Sequence, residues 1–130
     1  MRELSLSRLA TLALASLALA IGACGEREFD ADELVDELNK AGTELTLGPP
    51  LTSTDGTAVT SVEIAGAGAQ TDGAIAILDD ADAATVEFER CESAVDFTCF
   101  RAGNAVIRFS ALPPDAKATL TEAVRSLASG

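Results

Sequence analysis

The thirteen residues Leu9–Ile21, LATLALASLALAI, carry no charge, and they decide how much of this 130-residue chain is left to fold. A membrane-spanning helix needs roughly 20 apolar residues, so the run is too short to cross a bilayer. Arg2 and Arg8 precede it, and small residues Gly22 and Ala23 follow. A basic start, an apolar run of this length and a small-residue end are the layout of a secretory leader. Residues 1–23 therefore count as a leader, 24–29 as a short tether, and 30–130 as a single domain. The leader holds Arg2, Glu3 and Arg8, so the 107 residues after it carry 20 acidic and 7 basic side chains. The acidity belongs to the exported body.

The end of the leader and the residue after it read Ile21-Gly22-Ala23-Cys24. This tetrapeptide resembles the lipobox of bacterial prolipoproteins, an aliphatic residue and two small ones before Cys. The resemblance implies that Ile21, Gly22 and Ala23 are recognition residues and that Cys24 becomes the lipidated N-terminus. It also implies two or three acyl chains, palmitate among them, where a single chain would bind only marginally. An ordinary cleaved leader that happens to precede a Cys is the alternative, and an uncleaved anchor is a third. The region after the leader resembles small lipoproteins of high-GC bacteria in its alanine content, its acidity and the Cys91–Phe109 segment. That likeness implies no particular activity.

Three cysteines are an odd number for an exported protein. With Cys24 taking lipid, Cys91 and Cys99 remain as an even pair in an oxidising compartment and are expected to form a disulfide. Seven residues separate them, unlike the tight Cys-x-x-Cys spacing of redox dithiols. A zinc site needs three or four ligands, and the chain has no His. Neither a metal nor a cofactor is expected.

Phe29-Asp30-Ala31-Asp32-Glu33-Leu34 reads as a helix start, with Asp30 as N-cap, Glu33 at the third helical position and Phe29 stapled to Leu34. The helix is expected over Ala31–Ala41, stopped by Gly42. Thr43–Leu47 alternates and reads as a strand ended by Gly48-Pro49-Pro50. Further strands are expected over Ala58–Ile64 and Ala74–Leu78, separated by a Gly/Ala-rich loop. Asp79, Asp80 and Asp82 open a second helix with Ala81, Ala84, Phe88 and Cys91 on one face. Phe97–Phe100 and Ala105–Phe109 form a hairpin joined through Arg101-Ala102-Gly103-Asn104. A last helix starts at Leu112-Pro113-Pro114-Asp115 and buries Ala116, Leu120, Ala123, Val124 and Leu127. The expected fold is α+β: about five strands in an antiparallel or mixed sheet, three helices mainly on one face, and one disulfide.

Chemistry-bearing patterns are sparse. Without His there is no common general base, and Ser or Cys lacks its usual activator. There is no Gly-x-Ser-x-Gly elbow or P-loop. The Asp79, Asp80, Asp82 cluster departs from an EF-hand, with Ala84 at the fifth position and Cys91 at the twelfth; helix capping accounts for it more simply. Arg101 and Arg108 stand out in an apolar hairpin, as anion-contacting residues or as solvent-facing residues of an antiparallel sheet. The same hairpin is the first candidate for a protein contact, through an edge strand. A net charge of −12 argues against nucleic acid as a partner. The expectation is a non-catalytic binding or interaction domain. It is held in the cell envelope by its N-terminal lipid on the extracytoplasmic side of a bacterial membrane, near an envelope protein partner. A carboxylate-dependent envelope enzyme or accessory, or a small-ligand or metal carrier, is the rival.

Overall fold

A computed structural model describes residues 27–65 and 72–129. Ile21, Gly22, Ala23 and Cys24, together with most of the Gly/Ala-rich loop, lie outside them. The element order is α1 (Ala31–Lys40), β1 (Leu45–Leu51), β2 (Ala58–Ile64), β3 (Gly73–Ile77), α2 (Ala81–Glu92), β4 (Phe97–Ala102), β5 (Ala105–Ser110) and α3 (Pro114–Ser129). The five strands form one sheet in the order β1-β2-β3-β5-β4, every neighbouring pair antiparallel. The fold is α+β.

Local chemistry sets the helix ends. The Glu33 N–H donates to the Asp30 carboxylate at 2.8 Å, and the Ala83 N–H donates to the Asp80 carboxylate at 2.8 Å. Each bond satisfies a donor that the first helical turn leaves without an internal partner. Lys40 lies in the last turn of α1, and Gly42 follows at φ +117, a conformation that other residues adopt at a steric cost.

Alternation along the strands sorts side chains to two faces. Leu45, Val62, Ile75, Ile107 and Phe109 point to the face covered by α1 and α3, where they meet Phe29, Leu34, Leu38, Leu120 and Ala123 in the main core. Val106 points the other way and packs with Ala84, Phe88 and Cys91 of α2. Two of the three helices thus share one face, and α2 lies on the opposite one over β4 and β5. Cys91 and Cys99 are bonded, with Cα atoms 6.2 Å apart, so the C-terminal end of α2 is fixed to β4.

The first strand differs from the sequence-based expectation. Thr43 and Glu44 precede it, and it runs through Gly48-Pro49-Pro50 to Leu51 instead of stopping at Leu47. The pairs Leu47↔Val62 and Pro50↔Thr60 place one extra residue on β1, a bulge. β1 is an edge strand, where proline's missing N–H need not break a ladder. A Cβ at Gly48 would lie 2.3 Å from Ser61 Oγ and displace the hydroxyl that donates to the Pro49 carbonyl at 3.0 Å. The β4–β5 connection is also tighter than expected. The strands extend to Ala102 and from Ala105, leaving only Gly103 and Asn104 in the turn, with Gly103 at φ +56. A positive φ at the first central residue alone is the pattern of a type II′ hairpin turn.

Candidate functional site

Three structures converge at one end of the sheet. Ala58, Ile77 and Ala105 pair in a row there, so the β1–β2 turn, the start of α2 and the Gly103-Asn104 turn are neighbours. The chain enters the described structure at this same end. The Phe29 N–H donates to Asn104 Oδ1 at 2.6 Å, and Asn104 Nδ2 donates to the carbonyls of Phe29 at 3.1 Å and Leu78 at 3.2 Å. Asn104 is 5% exposed and Phe29 4%. Gly103 is held against the incoming chain so closely that a Cβ would fall 1.9 Å from the Arg27 carbonyl oxygen. The sequence marks Gly103-Asn104 as turn-forming; it does not reveal that Asn104 also clasps a residue 75 positions earlier.

An open groove of about 610 Å³ lies on the α2 face of the sheet. Its floor is one register row, Val59↔Ala76↔Val106, with Ala74 beside it. Glu87, Arg90 and Cys91 of α2 form one wall, and the 52–57 turn forms the other. That turn is closed by the Asp55 carboxylate, which accepts from the Ser53 hydroxyl and from the Thr57 N–H at 3.0 Å. These bonds, the Ser53 hydroxyl foremost, hold the Asp55 carboxyl down to about 2. Arg90 donates to Glu87 at 3.0 Å one turn along α2.

Arg108 sits in the next row along the sheet, between Ala74 and Cys99. Its guanidinium lies 5.4 Å from the ring centre of Phe97. No described carboxylate forms an ion pair with it, whereas Lys40, Arg90 and Arg125 each pair with a Glu three residues earlier. Leu51 and Phe97 line the groove at 42% and 40% exposure.

The other residues singled out from the sequence separate. Arg101 lies on edge strand β4 and donates to the Gly103 carbonyl at 3.1 Å, outside the groove. Asp80 caps α2 and Asp82 lies in its first turn. Among the described residues no three His, Cys, Asp or Glu side chains gather as a metal site would require. No protein-family model, curated protein or solved structure matches this chain.

Proposed function

We propose that this protein is an exported, lipid-anchored binding domain on the outer face of a bacterial membrane, and that its groove on the α2 face holds the bound molecule without transforming it. The groove carries the reading: an apolar floor of about 610 Å³ capacity with charged groups at its walls, inside the ~300–1,000 Å³ range typical of ligand sites. The Ile21–Cys24 sequence supports the anchor. Only Gly25 and Glu26 stand between Cys24 and Arg27, whose carbonyl rests against the hairpin turn. Three residue steps span at most ~11 Å. Lipid on Cys24 would hold the end of the sheet carrying the β1–β2 turn close to the membrane surface. The acidic body favours solution over anionic lipid, so the acyl chains are the attachment. Among the described residues no helix is long and apolar enough to cross a membrane.

Fractionation of cells expressing Cys24→Ser tests the anchor. The variant is expected in the soluble exported fraction. Continued membrane association after leader cleavage would overturn the lipid reading.

A further inference from the structure

We infer that the groove binds a small amphipathic anion, an apolar body bearing one carboxylate, with the carboxylate at Arg108. This rests on the groove being a binding site, as proposed above, and adds the chemical class of its ligand. Four observations carry it.

First, the floor is apolar and shallow because its residues are small. Val59 and Ala76 face one another across β2 and β3, Val106 continues the row under α2, and of the described helices the one on this face packs mainly on β4 and β5. An apolar body laid there removes Leu51 and Phe97 from water, each bringing roughly 25 cal/mol for every Å² it buries.

Second, Arg108 is left for a ligand. The chain has 21 acidic and 9 basic residues, so an arginine here has carboxylates in excess to choose from. Arg108 pairs with none of the described ones and is oriented by the Phe97 ring. Its planar, always-charged fork suits a carboxylate, to which it can donate two parallel bonds.

Third, the groove is polarised along its length. Arg108 lies in the Ala74–Cys99 row, away from the 52–57 turn. Asp55 lies in that turn, its carboxylate engaged by Ser53 and Thr57. Glu87 is matched by Arg90. An anion is therefore favoured at the Arg108 end, and the apolar floor continues from there toward the turn.

Fourth, the Phe97 contact leaves the guanidinium edge open to a carboxylate lying in its plane. Phe97 supports one face of the guanidinium, and the edge N–H groups remain to donate.

The test is calorimetric titration of the full-length lipoprotein in nanodiscs of zwitterionic lipid, with empty nanodiscs subtracted. The probes are octanoate, octanol and octylamine, short enough to stay largely in water. Octanoate is expected to bind about tenfold or more tighter than either control, as loss of a charge-assisted bond pair would dictate. Arg108→Gln should abolish that gap, and Arg108→Glu should reverse it in favour of octylamine. Arg108 is exposed, so both variants are expected to fold, and far-UV circular dichroism checks this. If octylamine matches octanoate, or if Arg108→Gln preserves the gap, the anion assignment is overturned while the groove remains a binding site. If the native protein binds none of the three, the groove is not a binding site and both readings fall.

Discussion

Replacing Asn104 with Ala should cost far more than a turn substitution usually does. Its side chain makes three hydrogen bonds, accepting from the Phe29 N–H at 2.6 Å and donating to the Phe29 and Leu78 carbonyls at 3.1 and 3.2 Å. Truncation removes all three and strands backbone groups of Phe29 at a residue 4% exposed. A typical intramolecular bond contributes ~1 kcal/mol net, and a buried polar group left without a partner costs ~1–3 kcal/mol. The bond to the Leu78 carbonyl is only part-buried, so the loss should be about 3 kcal/mol, below the simple sum. For a domain of about 100 residues that lowers Tm by ~12–24 °C. The chain has no Trp or Tyr, so thermal unfolding is best followed by far-UV circular dichroism or calorimetry. Hydrogen exchange at the Phe29 amide gives a local readout and should accelerate with the loss of its acceptor. A Tm change under ~4 °C with unchanged Phe29 exchange would mean that Asn104 acts only through the turn backbone, refuting the clasp.

Two further perturbations have defined signs. Converting both Cys91 and Cys99 to Ala opens a loop of sequence separation 8 and should cost on the order of 2–3 kcal/mol by chain entropy, measured by urea titration; an unchanged midpoint would contradict it. The Asp55 carboxyl, lowered to about 2 from an ordinary 3.8, favours folding above pH ~4, and that contribution is lost as pH falls through 2. A carboxyl carbon titration should place its midpoint near 2, and Ser53→Ala should move it up toward the ordinary value; an Asp55 midpoint already near 4 in the native protein would refute the turn geometry.

What the sequence reveals here is what nearest neighbours decide. Asp30 is legible as a cap, and a cap within the Asp79, Asp80, Asp82 cluster is too, because an N-cap acts within three residues of itself; that it is Asp80 comes from the structure. Cys91 and Cys99 are legible as a pair once the Ile21–Cys24 motif is read as assigning Cys24 to lipid. The strands announce themselves by alternation, but alternation says nothing of who pairs with whom. That β5 inserts between β3 and β4 is a tertiary outcome. β1 hides for a related reason: Gly48-Pro49-Pro50 is a strand terminator in the middle of a sheet and harmless on its rim, and only the assembled sheet says which applies. The groove is less legible still. Leu51, Ala76 and Arg108 belong to three strands, and no local pattern joins them. Asn104 carries the same lesson, since its turn role is local and its grip on Phe29 is not.

The opening on the α2 face follows from the topology. An α-helix with its side chains is ~10–12 Å across, and strands lie ~4.8 Å apart, so one helix covers about two strands. On one face two helices, α1 and α3, serve the sheet, and the core there is closed from Leu45 on β1 to Phe100 on β4. Of the described helices, only α2 lies on the other face. Because β5 separates β3 from β4, α2 must pass over β5 to deliver the chain to the far edge, and the Cys91–Cys99 bond then holds it over β4. No described helix packs on the β1–β2–β3 half of that face. The side chains there include Leu51, Val59, Ser61, Ala74 and Ala76, which leave unfilled part of a layer that a helix would otherwise occupy. A concavity bounded by a helix wall on one side and the 52–57 turn on the other is the result. The groove exists because this connection order supplies one helix too few, and Arg108 lies at the border between the covered and uncovered halves, where a cation meets both the Phe97 ring and open space.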